Sequence, residues 1–564
     1  MFEGIDKKAA ARWMAIRIAA LPVIFVAASF ASFFLIYGPG ADTIADLPSI
    51  DRTEEREQAL RAELNLNGPW IQRYGEWLAD AAHGDFGEVW LTQTSVRSAL
   101  ADRWNESAEL LSLALLVGTL VGGGLAAVRV RLRRTAWRHA AEVLACACDA
   151  LPVFLVGTLV LIVPAEQWEY SPPLEGTISF FDAPWDHVRQ FVPPSLVMAL
   201  TIVGIVSRLS AGAMRAGVRP IQAVLRSLPP SIGVLFGALI VVEFSFNIRG
   251  LGAMFVPSIF SVESAVLQLL LTLSLVLTVA PSLFLWGNPH TPSVHATSPV
   301  LTLKNPATIV AIVLVFGFLV LGAVGPHMAP HGADDIGVGR ASENPSIDHL
   351  FGTDRNGRDT LSRVIESARP TLGIGLSVLG IGFLPGVVTG VVLARIGRRV
   401  SNGASIASNW VLSTPLLLVV VAGIGVRHLS VEWMVGIASM FSLCVGVRVT
   451  SPLFAGESES VRDQMASGAV SIVAGGLRAL AAVVLLHTTL GWLHFDPFPL
   501  PSPNWGNDVS AAAFSFPLHY PQLLFPGAAL GLVLFGLALL ADSLPAASYG
   551  SVESRDGSAG TDSS

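Results

Sequence analysis

Apolar residues fall into long runs along this chain, and polar residues gather in the intervals between them. Twelve runs stand out, at about 14–37, 107–128, 143–163, 190–208, 229–245, 263–287, 306–326, 369–394, 404–425, 430–448, 469–488 and 521–543. Each is close to the roughly 20 residues a helix needs to cross a hydrocarbon layer. Several contain Gly or Pro, which membrane helices tolerate when neighbours satisfy the freed backbone groups. The pattern predicts an all-α membrane protein of about 12 transmembrane helices. A basic start (Lys7, Lys8, Arg12, Arg17) leads into the first run. That run exceeds the apolar core of a cleavable signal peptide and reads as a retained first helix.

The runs form two similar series. Each has a first span, a polar segment, then five spans with a basic loop between the fourth and fifth. The first unit covers 1–290 and the second 306–543, with a hydrophilic linker at 291–305 and a Ser-, Gly- and Asp-rich tail at 544–564 that reads as disordered. Two six-helix units in tandem, related by an axis along the membrane normal, are expected.

Arginine sets the orientation. Arg129, Arg131, Arg133, Arg134 and Arg138 follow the second span, Arg208, Arg215, Arg219 and Arg226 surround the loop after the fourth, and Arg395, Arg398 and Arg399 follow the eighth. Positive loops stay cytoplasmic, so both termini are expected inside. Residues 38–106 carry 13 Asp/Glu against 6 Arg and fall outside, as does 327–368.

Composition agrees. Of 564 residues, 52% are hydrophobic and 14% charged, and the mean hydropathy is +0.60. Soluble domains are about 25% charged, so a soluble enzyme of this size is excluded. A net charge of −7 gives no footprint for nucleic acid. Cys146, Cys148 and Cys444 lie in apolar stretches and imply no disulfide framework. Cys146-Ala-Cys148-Asp149 reads as packing rather than as a metal site.

The second polar segment contains Gly352-Thr353-Asp354-Arg355-Asn356-Gly357-Arg358-Asp359-Thr360-Leu361-Ser362-Arg363, followed by Ala368-Arg369. It resembles the GTD-x-x-GRD-x-x-SR stretch of one permease subunit of dipeptide/oligopeptide/nickel-type ABC importers. Gly352 and Gly357 allow tight turns. Alternating Asp and Arg are expected to pair and lock a rigid external cap over the helix ends. The first polar segment is similar to the partner permease, from Leu64-Asn65-Leu66-Asn67-Gly68-Pro69 through Tyr74 and Trp77 to Gly84-Asp85-Phe86-Gly87, with Val96 and Arg103 leading into the next span. Gly84, Asp85 and Gly87 read as a structural turn. Glu243-Phe244 with Gly250-Leu251-Gly252 resembles the end of the family's fifth helix, and Pro501-Ser502-Pro503-Asn504-Trp505-Gly506 resembles its PTPSWG segment. Pro152 and Pro415 occupy matching places in the third span of each unit. The resemblance covers about residues 10–545 in two consecutive blocks.

Such permeases engage their ATPases through the loop between the fourth and fifth helices. Ala213-Met214-Arg215-Ala216-Gly217-Val218-Arg219, then Arg226-Ser227-Leu228-Pro229, resembles this loop without its usual acidic residue. Gly217 is expected to break the helix so that Ala213–Ala216 lies across the membrane surface. The same arginines also serve a loop that merely fixes topology. The second unit keeps Val461-Arg462-Asp463-Gln464-Met465-Ala466-Ser467-Gly468 but lacks the basic residue and Leu-Pro downstream, and Glu457, Glu459 and Asp463 make it acidic. His487 stands near where that subunit usually has Glu.

A phosphate-cradling loop needs Gly-Lys, and none of the three lysines (Lys7, Lys8, Lys304) follows a glycine. The resemblance therefore implies a fused permease that is not itself an enzyme and holds no cofactor or metal. It implies two cytoplasmic ABC ATPase subunits or domains that bind ATP, an extracellular substrate-binding protein, and a plasma-membrane location. Twelve helices in two repeats also suit an ion-coupled secondary transporter, for which Asp149 and Glu243 are the candidate ionisable residues. A membrane-embedded metalloenzyme is disfavoured because His487 and His494 lack ligand spacing.

Overall fold

The computed structural model describes residues 7–39, 68–89, 92–132, 136–168, 178–261, 263–285, 306–427, 430–454, 461–495, 502–513 and 520–549, with positions 58 and 61. The linker 291–305, Leu64–Asn67, Arg133, Arg134, Glu457, Glu459 and Pro501 lie outside the described residues, as do 550–564 of the tail.

Among the described residues, ten helices are long and apolar enough to cross a membrane, and two bent helix pairs raise the number to 12. The same order of elements occurs twice. In the N-terminal half the spans are Lys7–Tyr37, Val96–Arg131, the pair Ala136–Ala150 and Val153–Trp168, Pro184–Arg215, Leu228–Ser245 and Ser264–Leu285. A short apolar helix, Leu251–Phe260, intervenes between the last two. In the C-terminal half they are Pro306–Met328, Thr360–Ile396, the pair Arg398–Ser413 and Leu416–Arg427, Val431–Thr450, Val461–Trp492 and Tyr520–Tyr549, and the short helix Trp505–Ala513 stands in the corresponding place. The last helix runs past Ser543 to Tyr549.

The third span is broken in both halves, by 88° and by 63°. Pro152 and Pro415 cause the breaks. Each lacks the N–H that would continue the preceding helix, and its ring disfavours helical backbone in the residue before it. Thr414, ahead of Pro415, is accordingly extended (φ −72°, ψ 143°). Each proline then accepts the first hydrogen bond of the next helix, Val156 N–H to Pro152 O (3.1 Å) and Val419 N–H to Pro415 O (3.3 Å).

Within each half the second span crosses the fourth on a ridge of glycines. A Cβ at Gly122 would lie 2.7 Å from Val203 O, and one at Gly382 or Gly386 would run into the carbonyls of Ser439 or Leu443. Small residues let membrane helices approach to backbone contact, which substitutes for the hydrophobic effect absent in lipid. In the second half the ridge begins within a π-helical turn at Leu379–Phe383.

The two halves share one core. Phe154 of the first stacks on Trp492 of the second (centroids 5.9 Å apart), and Phe244 meets the same indole edge-on. Val241 and Leu267 belong to one buried cluster with Val420, Val484 and Leu534. Gly527 packs on Leu155, and Gly233 abuts the Ser413 carbonyl. Thus the third span of each half touches the other half.

Candidate functional site

The polar segment before Thr360 folds into a compact cap. Residues 337–343 run beside 353–357, joined by Gly337 N–H to Asn356 O (3.0 Å), Gly339 N–H to Gly357 O (3.1 Å) and Thr353 N–H to Glu343 O (3.0 Å). Gly352 (φ +72°) and Gly357 (φ +69°) sit at its turns, and a Cβ at either would strike a backbone carbonyl. The motif's carboxylates do not chiefly pair with its arginines. Asp354 Oδ1 accepts the N–H groups of Asn356 (2.8 Å) and Arg358 (2.9 Å), whereas Arg358 Nε lies 3.8 Å from its other oxygen. Asp359 caps the next helix, accepting Ser362 N–H (2.8 Å) and hydroxyl (2.7 Å), and its other oxygen contacts His349 Nδ1 (3.0 Å). The expected Asp–Arg lock gives way because orphan amides at turns and helix starts hold carboxylates at closer range. Arg363 is buried and reaches elsewhere, to Asp508 (2.7 Å), Asp334 (3.2 Å) and the Ala333 carbonyl (3.0 Å). Burial pushes the Asp508 carboxyl up and the Arg363 guanidinium pulls it back.

The cap of the first half is built from aromatic rings. Helix Trp70–Ala82 lies on the first span through Tyr74, whose hydroxyl donates to Val26 O (3.0 Å) and pairs with Ser29 (3.1 Å). Phe30, Phe33 and Trp77 surround it. Gly84 (φ +85°) and Gly87 (φ +91°) turn the chain. Asp85 Oδ1 accepts the Gly87 N–H (2.9 Å) ahead of a hairpin, Glu88–Val89 paired with Thr94–Ser95.

Each half anchors its short apolar helix to its fifth span, by different chemistry. Glu243 accepts the Gly252 (2.6 Å) and Ala253 (2.9 Å) N–H groups at the start of Leu251–Phe260. Ser107 donates to the same carboxylate (2.6 Å) and accepts the Leu251 N–H (2.7 Å). In the second half His487 holds the equivalent place. An imidazole does not offer two acceptor oxygens to a helix start, and Asn504 takes over, accepting the Gly506 N–H (2.8 Å) and contacting His487 (3.3 Å). Thr371 meets the other imidazole nitrogen (3.3 Å). Trp505 Nε1 donates to Val364 O (2.9 Å), so the short helix is also tied to the second span.

At the arginine-rich end, helix Pro184–Arg215 continues through Ala213 and Arg215, and Ala216 is its C-cap. The expected surface segment at Ala213–Ala216 is therefore the last turn of the fourth span. Gly217 (φ +82°) ends it, and a separate short helix follows at Pro220–Leu225, with Arg219 as its N-cap and Arg226 as its C-cap. Pro220, at the first helical position, starts that helix instead. Ile221 on it is 78% exposed. Pro229 is buried in the first turn of the fifth span. Gly468 behaves differently. It lies inside the unbroken helix Val461–Trp492, and a Cβ there would be 3.1 Å from Leu453. With no proline nearby, the helix passes straight through.

Just above this end lies a buried cluster of charges drawn from both halves. Asp542 pairs with Arg129 (3.2 Å), Arg478 (3.1 Å) and Arg208 (3.7 Å), and Arg208 also pairs with Asp149.

No protein-family model matches the chain. A peptide transport system permease protein of Brucella abortus is 26% identical over 276 residues, spanning 44% of this chain and 87% of its own length. A dipeptide transport system permease of Alkalihalophilus pseudofirmus is 21% identical over 43% of this chain and 84% of its own length. One from Bacillus subtilis reaches 31% identity over 118 residues. The chain is a multi-pass membrane protein similar to these transport permeases.

Nearly the whole of one such relative fits within less than half of this chain. Among the sequence-derived residues, Gly352, Asp354, Gly357, Arg358, Asp359 and Arg363 come together in one cap, and Gly84, Asp85 and Gly87 in another. Gly217, Arg219 and Arg226 frame one short helix, while Gly468 stands apart on the second half's fifth span. Asp508 and Asp542 stand in none of the motifs read from the sequence, and Asn504 stands there only as one member of the 501–506 segment. A polar residue inside an apolar run or beside a matched segment was the available signal for each.

Proposed function

We propose that this single polypeptide supplies both membrane halves of an ATP-driven importer for peptides or related small solutes. The first unit comprises residues 1–290, the second 306–543. Two separate ABC ATPases bind ATP and dock at the arginine-rich, cytoplasmic end, a substrate-binding protein delivers cargo to the opposite caps, and both termini face the cytoplasm. The chain needs no cofactor and performs no chemistry of its own.

The observation that carries this reading is the doubled order of elements, with matching proline breaks at Pro152 and Pro415, set beside relatives whose length corresponds to 44% of the chain. The exposed Ile221 between Arg219 and Arg226 gives the first unit an apolar knob with a basic rim, suited to a cleft on an ATPase. Nucleotide-driven approach of the ATPases would drag this loop and, with it, the fourth span that Gly217 terminates. An ion-coupled carrier has less support. Both Glu243 oxygens are engaged, one by the Ser107 hydroxyl and the other by the N–H groups at a helix start, and Asp149 is paired with Arg208.

The test is purification of the full chain in lipid nanodiscs, with and without the ATPase subunits that accompany it in the membrane. ATP hydrolysis is expected only with those subunits. Uphill solute movement by the chain alone in vesicles would overturn the reading.

A further inference from the structure

The charge cluster between the halves draws on both of them. Arg129, Arg208 and Asp149 belong to the first half, and Arg478 and Asp542 to the second. Asp542 is the hub. Its side chain is 6% exposed, that of Arg129 7% and that of Asp149 12%. Arg129 also donates to Ser207 (3.3 Å), and Cys146 Sγ lies 3.8 Å from Asp542. Around these groups, Cys146 packs with Ala311 and Leu539, so the last helix of the chain is seated directly on the third span of the first half.

Position gives the cluster a mechanical meaning. Arg208 lies seven residues before Arg215, where the fourth span ends, which is about two helical turns or ~10 Å. It therefore shares one continuous helix with the end of the fourth span, beyond which Gly217 turns the chain into the short helix Pro220–Leu225. The second half has no corresponding lever among the described residues, since its fifth span runs unbroken through Gly468.

We propose that Asp542 is a positioning residue that carries movement of the first half's coupling loop, through Arg208 and Arg129, into the second half. The inference rests on the proposed importer function. Buried ion pairs suit this task because separating them strands a charge away from water, so the partners move together or not at all.

The experiment uses the full chain with its ATPases in nanodiscs, spin-labelled at Trp185→Cys and Ile347→Cys. Trp185 is 71% exposed in the first turn of the fourth span, at the end opposite Arg215, and Ile347 is 94% exposed in the polar segment before Thr360. The label-to-label distance is measured before and after trapping with ATP and vanadate. In Asp542→Asn, ATP turnover persists while the distance change falls to less than about half that of the parent, and Asp542→Glu restores it. A full distance change in Asp542→Asn overturns the proposal. Should Asp542→Asn fail to assemble, Arg208→Gln, whose side chain is 20% exposed, takes its place; a reduced change supports the proposal and an unaltered one overturns it. A parent protein that binds no ATPase, or shows no response to nucleotide, counts against the importer reading instead.

Discussion

Glu243 and His487 show how one architectural demand is met by two side chains. Both stand near the end of a fifth span, beneath a short helix whose first N–H groups need acceptors. A carboxylate with two oxygens serves Gly252 and Ala253 and still takes the Ser107 hydroxyl. The imidazole of His487 cannot, so Asn504 supplies the acceptor from within the loop. Replacing Glu243 by Gln removes the charge from three hydrogen bonds and turns one acceptor into a donor. Destabilisation of about 1–3 kcal/mol is expected, read as a lowered thermal midpoint of the purified protein. Asn504→Ala should cost about 1–2 kcal/mol as a lost helix cap. His487→Glu, which gives the second half a carboxylate, should make Asn504→Ala less damaging when the two are combined.

Hydropathy located the spans because it reports contact with lipid, and that same fact limits it. The second span begins at Val96 and the fourth at Pro184, well before their apolar runs at 107 and 190, since the first turns carry Arg97, Asp102, Asp186 and Arg189 in polar surroundings. Pro152 and Pro415 were visible as residues, but the 88° and 63° bends depend on how the flanking helices pack. The short helix lies a few residues beyond Ala213–Ala216 for a similar reason. Gly217 was recognisable as a breaker, while Pro220 decides that the short helix comes after it. Asp542 pairs with Arg129 across 413 positions of sequence, a distance over which no local pattern operates. At this scale the loops make a contrasting pair. Gly217→Pro forces φ from +82° toward the proline value and should abolish most ATP-driven transport while leaving the protein inserted, and Arg226→Glu should act in the same direction. Ile221→Ala should weaken ATPase binding by about 2 kcal/mol, roughly thirtyfold, measured by titrating the ATPase onto nanodisc-held chain. Gly468→Ala, within a continuous helix, should change transport little.

The molecule as a whole behaves as one body because its two halves are sewn together at both the core and the arginine-rich end. Phe154 on Trp492, Leu155 on Gly527 and the Asp542 cluster each cross the boundary. Two chains made by cutting within 291–305 should therefore find each other, and co-purification of separately tagged halves checks this. Trp492→Ala, which empties the site shared by Phe154 and Phe244, should loosen that association at a cost of about 3–5 kcal/mol. Halves that remain monomeric would mean that the shared core contributes little.

On the proposed function, one copy of this chain forms the complete membrane part of the transporter. Native mass spectrometry of the complex released from lipid nanodiscs measures this directly. One chain with two ATPase subunits is the expected mass. Two copies of the chain in the complex, or a second permease subunit alongside it, would contradict the account.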